Sequence, residues 1–350
     1  MEIIKVILPF FVSFFVGMSF APWLLIRLYK YKVWRKSINT KEVFLDDENK
    51  NQVSSIINKN TKDLKTPRMG GLNFIFSVLA TVLIFWIVSY VVTGNPHGRL
   101  DFLSRSQTWL PFLAFVLGAF LGLIDDILTI KPNGKGLKLF YRLIFVNLTA
   151  LFFAYWFYSK LGISEINIPL YGEIDLGFWF IPFFILVFNA IFATSNIDGL
   201  DGLAGGMMFI IYFLFGIFAW IGEQYNLSAF SLAIAGGILA FLWYNLAPAK
   251  FYMSEVGYNA LSFTIVILAF LTKSVLLMPI LMVMFLATLV TTILQVFWIR
   301  VFKKRLIKIA PLHHHFEAIG VSKNLIVTRY WIITFLAALL SLMIYLQNLN

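Results

Sequence analysis

The sequence predicts an all-α polytopic integral membrane protein of about ten transmembrane helices, with both termini external and an active-site cleft on the cytoplasmic face. Three observations carry the helices and their topology, while the cleft follows from the acids and motifs taken up after them. Of the 350 residues, 60% are hydrophobic and 13% charged, against about a quarter charged in soluble domains. The apolar residues gather into ten runs, near the length of about 20 residues that crosses a hydrocarbon core of roughly 30 Å. All but five of the 28 Lys and Arg fall on one side of the resulting map, the exceptions being Lys5, Arg99, Arg105, Lys160 and Lys273. Loops rich in Lys and Arg stay in the cytoplasm. Topology therefore accounts for the formal charge of +11, and no nucleic-acid partner is implied.

The first run, 4–28, is long and lacks a small-x-small cleavage site, so it reads as a retained anchor rather than a signal peptide. A polar cytoplasmic loop over 29–70, rich in Lys, Asn and Asp, ends in 65-KTPRMGGL-72, where Pro and two Gly mark a turn. Runs at 71–93, 108–130 and 138–159 follow. The external loop 160–175 alternates apolar and polar residues, the pattern of a short hairpin. Further runs lie at 176–196, 203–222, 227–247, 258–272 and 274–302. A second basic cytoplasmic loop, 303–327, carries 311-PLHHHFE-317 before the last run at 328–347. The whole chain, 1–350, reads as one transmembrane domain. It contains no cysteine, so neither disulfides nor thiolate chemistry enter.

On this map Asp125, Asp126, Asp198, Asp201, Glu255 and Glu317 all come to the cytoplasmic side, beside Lys135, Lys250 and His313 to His315. Ionisable groups at the ends of membrane helices are costly unless paired or solvated, and mark a functional site by default. Acids ringed by Lys and His suit Mg²⁺ with a phosphorylated substrate, because that ion takes one or two carboxylates and shares its other positions with phosphate and water. Asp198 and Asp201 either share a helix face or line a tight turn among glycines. Three consecutive histidines diverge too widely to serve one metal and are better placed to contact a polyanion. A transporter or a catalytically silent lipid-binding scaffold would also place charge in a membrane protein, but these acids gather at one face rather than within the spans.

The order of the motifs is more specific than any one of them. K-TPRMGG, LIDD, NGKGL, DGLDGLAGG, WYN…PAKFYMSEVG and PLHHHFE together resemble the polyprenyl-phosphate N-acetylhexosamine-1-phosphate transferases, over roughly residues 65 to 333. The HHHFE run points to the phospho-N-acetylmuramoyl-pentapeptide branch rather than to a sister using another UDP-sugar. The resemblance implies a multi-pass enzyme of the bacterial cytoplasmic membrane that uses UDP-MurNAc-pentapeptide, undecaprenyl phosphate and Mg²⁺, and it allows a homodimer. It implies catalytic roles for Asp125, Asp126, His313 and His314. Substrate-binding roles fall on Lys65, Lys135, Asp198, Asp201, Asn245, Tyr252 and His315, and metal-binding roles on Glu255 and Asn196. The chain also departs from the family pattern. The second Thr of TPTMGG is Arg68, the lysine three residues after the acid pair is Thr129, and the Gly-Asp of F-M-G-D is Ser254-Glu255. In N-L-T-D-G the asparagine is displaced to Asn196.

Overall fold

The computed structural model describes residues 2–34, 66–94, 101–102, 106–131, 134–169, 171–197 and 199–347. Among them ten helices are long and apolar enough to cross a membrane. We number these α1 (Glu2–Lys30), α2 (Leu72–Thr93), α3 (Ser106–Ile130), α4 (Leu139–Lys160), α5 (Phe180–Phe192), α6 (Leu203–Ile221), α7 (Tyr225–Asn245), α8 (Ser254–Leu271), α9 (Val283–Phe302) and α10 (Lys323–Gln347). Between α4 and α5 a two-stranded antiparallel ribbon, β1 (Glu165–Ile168) and β2 (Gly172–Asp175), pairs Ile166 with Ile174. It meets the far end of the bundle through the Glu173–Lys273 ion pair at 2.5 Å.

Three runs differ most from their expected limits, the last of them because α10 begins at Lys323 rather than 328. α8 begins at Ser254 rather than 258, which brings Glu255 into its first turn. The run expected over 274–302 breaks into a turn at Val275–Leu277, a single helical turn at Met278–Leu281 and then α9. Pro279, which has no N–H to donate, starts that single turn.

α8 is the centre of the molecule, with 94% of its apolar window buried, against 22% for α1 and 17% for α9. It packs most extensively on α3. Gly118 and Gly122 make that approach possible. A Cβ at Gly118 would lie 2.9 Å from the Ala260 Cα, and one at Gly122 would lie 2.5 Å from the Val256 Cα. Small residues four apart let membrane helices meet backbone to backbone, where dispersion contacts rather than water exclusion hold them. Aromatic rings fill the other side of α8. Phe184 stacks on Phe270 at 4.5 Å between ring centroids, and Phe188 meets Phe263 at 4.7 Å. These contacts fix the axial position of α8 against α3 and α5, and so the height of Glu255 relative to the acids of α3.

Candidate active site

Asp125 and Asp126 occupy the last turns of α3, and consecutive helical residues point about 100° apart. Their carboxylates accordingly have different surroundings. Asp125 Oδ1 accepts the Leu137 N–H at 2.7 Å. The turn holding Leu137 closes on Asp125 because Gly136 has φ +71°, and a Cβ there would sit 2.9 Å from Thr129 Oγ1 and 3.1 Å from Asp125 Oδ1. Asp126 is fully buried. Its Oδ1 receives Arg68 Nε at 3.2 Å and Nη2 at 3.1 Å. Its Oδ2 receives the Val256 N–H at 3.0 Å, one of the donors that a helix start leaves without an intrahelical partner. Glu255 pairs through Oε2 with Arg142 Nη2 at 3.0 Å, and the Arg142 guanidinium lies 5.4 Å from the Phe192 ring centroid. Each carboxylate thus has its own neighbour: a glycine turn, Arg68 with a helix start, and Arg142.

The segment 66–71 joins α3 to the chain before α8. Tyr252 N–H donates to the Pro67 carbonyl at 2.9 Å, and Gly70 N–H to the Tyr252 carbonyl at 2.7 Å. Met69 N–H donates to Ser254 Oγ at 3.2 Å. Ser254 has φ +59°, a left-handed conformation that costs a residue with a Cβ roughly 1–2 kcal/mol. The family pattern has Gly at this position, and the hydroxyl bond to Met69 offsets part of that cost.

A second cluster lies beyond Tyr252. Asn245 is buried and uses both ends of its amide, donating to the Phe251 carbonyl at 2.9 Å and accepting the Gly202 N–H at 3.0 Å. Asp201 Oδ2 accepts the Ala249 N–H at 3.0 Å. These bonds hold the 199–202 turn against the chain leaving α7. The short helix Leu312–Ala318 presents two histidines to the same turn: a Cβ at Gly199 would meet His313 Nε2 and would lie 3.2 Å from His314 Nε2. His314 Nδ1 faces Glu317 Oε2 at 2.8 Å, and Lys323 Nζ lies 3.7 Å from Glu317 Oε1. Burial works against the charge of Glu317, yet His314 and Lys323 hold its carboxyl below the usual range. An ionised carboxylate only accepts, so Nδ1 carries the proton and Nε2 is the atom turned to Gly199. His313 is fully buried with neither ring nitrogen bonded among the described residues. Burial, with His314 beside it, lowers its pKa to about 3, so this ring is neutral.

Hydrogen bonds and ion pairs, linked along the backbone at Glu255–Val256, Pro67–Arg68 and Phe251–Tyr252, therefore connect Arg142 and Glu255 with Asp126, Arg68, Tyr252, Asn245 and the 199–202 turn, beside which the two histidines lie. Asp125 adjoins this path beneath Gly136, and Lys135, one residue away, is exposed. His315 Nδ1 is buried without a partner among the described residues. Lys65, Asp198 and the side chain of Asn196 lie outside the described residues. Arg142 and the orienting contact of Glu317 on His314 were not singled out from sequence. Arg142 carried a readable signal, since an arginine inside an apolar run demands a partner.

Among the described residues no three acid or histidine side chains converge as a metal cage. Asp125 and Glu255 nevertheless each keep one carboxylate oxygen without a hydrogen-bond partner among those residues. That donor set fits Mg²⁺, which needs one or two carboxylates when phosphate and water complete its shell.

The sequence profile of glycosyl transferase family 4 matches residues 108–273. A phospho-N-acetylmuramoyl-pentapeptide-transferase of Thermoanaerobacter sp. (strain X514) is 32% identical over 96% of this chain and 98% of its own length. Proteins of the same name from Clostridium perfringens (strain 13) and Listeria welshimeri are 33% and 34% identical, over 78% and 79% of this chain and 82% and 83% of their own lengths.

Proposed function

Because the chain belongs to the phospho-N-acetylmuramoyl-pentapeptide-transferase family of membrane transferases, we propose that it transfers phospho-N-acetylmuramoyl-pentapeptide from UDP to undecaprenyl phosphate, releasing UMP. The observation that carries this reading is the set of contacts, completed along the backbone at 67–68, 251–252 and 255–256, that brings the acids of α3 and α8 together with the 199–202 turn and the histidines beside it. A transferase of this kind must hold a lipid phosphate at a helix end and a nucleotide diphosphate beside it. We place this end of the bundle in the cytoplasm and both termini outside, as the distribution of Lys and Arg requires.

In the reaction one oxygen of the lipid phosphate bonds to the sugar-bearing β-phosphorus. The bond from that phosphorus to the oxygen bridging the α-phosphate breaks, and UMP leaves with the electron pair. Such transfers depend on positioning and charge neutralisation more than on covalent catalysis. Asp125, with backbone on one oxygen, orients the lipid phosphate and takes its proton when it arrives protonated. Asp126, bonded on both oxygens, holds α3, α8 and the 66–71 segment in place. Asp201, Asn245 and Tyr252 form the nucleoside side, while His313 and His314 lie toward the diphosphate. The chemistry Mg²⁺ supplies when bound is neutralisation of diphosphate charge, and Glu255 and Asp125 are the residues that would hold it.

The test combines purified protein, undecaprenyl phosphate, UDP-MurNAc-pentapeptide and Mg²⁺, with UMP release as the readout. UMP formed with UDP-GlcNAc but not with the muramoyl substrate would overturn the proposal. Two variants probe the roles within it. Glu255→Gln is expected to lose activity that added Mg²⁺ does not restore, whereas Ser254→Gly with Glu255→Asp should be at least as active as the parent. A Glu255→Gln protein with the parent's Mg²⁺ titration would remove Glu255 from the metal site. Glu317→Gln is expected to slow UMP release by about 10- to 100-fold, the scale on which removing an orienting carboxylate disables a working histidine. ¹⁵N chemical shifts should show the His314 proton leaving Nδ1 in that variant, and an unchanged tautomer would sink this role.

A further inference from the structure

We propose that Arg68 is a built-in cation for Asp126, its guanidinium standing where a divalent ion would otherwise neutralise that carboxylate. The inference rests on the transferase reading only in expecting a divalent ion at this end of the bundle.

The geometry is that of a permanent counter-ion. Two guanidinium nitrogens converge on Asp126 Oδ1, at 3.1 and 3.2 Å, and the acid is fully buried while the arginine side chain is 26% exposed. A carboxylate taken out of water needs a charge partner and hydrogen bonds to remain ionised. Asp126 has both, since its other oxygen takes the Val256 N–H. Arginine keeps its charge at any working pH, so this partner cannot dissociate as an ion does.

The charge count points the same way. Asp125, Asp126 and Glu255 bring three negative charges, and Arg68 and Arg142 return two positive ones, leaving these five side chains at −1. Arg68 accounts for half of that compensation. It stands at a position where the family pattern has Thr, a side chain without charge. With Arg68 in place a divalent cation finds Asp125 and Glu255 but not Asp126; without it, Asp126 becomes available and the cluster gains a negative charge.

Mn²⁺ binding to the full-length protein in detergent, followed by electron paramagnetic resonance without nucleotide or lipid, tests this directly. Arg68→Thr and Arg68→Gln should bind Mn²⁺ about tenfold more tightly than the parent, or take up one further ion, because the carboxylates lose a nearby positive charge. Arg68→Lys should resemble the parent. Arg68→Thr combined with Asp126→Asn should lose the gain. Where removal of Arg68 lowers the unfolding temperature, Mn²⁺ should restore it while shifting the parent little. Uncharged variants that fold and keep the parent's Mn²⁺ isotherm would overturn the proposal, as would destabilised variants that Mn²⁺ fails to rescue. UMP release run in parallel separates the two readings. A parent silent in that assay with the Mn²⁺ shifts intact sinks the transferase reading alone, and an active parent without those shifts sinks the role of Arg68 alone.

Discussion

Asp125→Asn should leave the protein folded and reduce UMP release by about 10²- to 10⁴-fold, the range lost with a positioned acid or base. Asparagine keeps an oxygen to accept the Leu137 N–H, so the turn around Gly136 has no reason to open. What disappears is the charge that orients the lipid phosphate or takes its proton. The neighbouring change should behave differently. Asp126→Asn removes the ionised acceptor that Arg68 meets at a buried position, where breaking such a pair costs up to about 3–5 kcal/mol. Thermal unfolding in detergent should therefore separate the two variants, Asp125→Asn close to the parent and Asp126→Asn well below it. Equal stability combined with equal loss of turnover would mean that the two acids share one role.

The second large effect is expected at the seam between α3 and α8. In Gly122→Val the added Cβ would lie 2.5 Å from the Val256 Cα and closer still to the Glu255 carbonyl. Both are backbone, so no rotamer change relieves the clash, and the helices must separate. Overpacking of this kind costs about 1–3 kcal/mol or more, and here it also carries Glu255 away from Asp125. Stability and UMP release should fall together. Gly222→Ala is the control, since its Cβ would find nothing nearer than 3.5 Å and should leave both within error. A Gly122→Val protein with the parent's unfolding temperature would show that α3 and α8 do not meet as closely as described.

Helix number and approximate limits were legible because crossing a bilayer needs a long apolar run, and little else in a sequence produces one. The start of α8 was not, because Ser254, Glu255 and Gly257 lower the local hydropathy. Asp126, 130 residues away, supplies the acceptor for the Val256 N–H, a cap that no local window contains. The kinds of site residue were readable from motif order, but their partners were not. Arg68 and Asp126 are 58 positions apart, and Arg142 and Glu255 are 113 apart. Only packing brings them together, so Arg68 could be read as a departure from a motif but not as the counter-ion of an acid. The contact of His314 with Glu317 spans three residues and was within reach, had the polar stretch after Pro311 been read as a turn of helix.

The burial of α8 also bears on how the protein is made. This helix has a mean hydropathy of 1.5, equal lowest of the ten with α4, and it carries the fully buried Asn259 and Thr264 and the almost fully buried Ser262. Facing acyl chains, those groups would be expensive, so the segment gains little by leaving the translocon alone. Its natural lining, the glycine face of α3, is synthesised more than a hundred residues earlier and must be covered by lipid in the meantime. Biosynthesis therefore has a late decisive step, in which the eighth helix displaces lipid from α3 and draws Glu255 and the Val256 amide up to acids that have waited since the third. Until that step a nascent chain holds Asp126 without its second partner, and ribosome-bound intermediates that end before Leu271 should be the ones that quality-control proteases recognise.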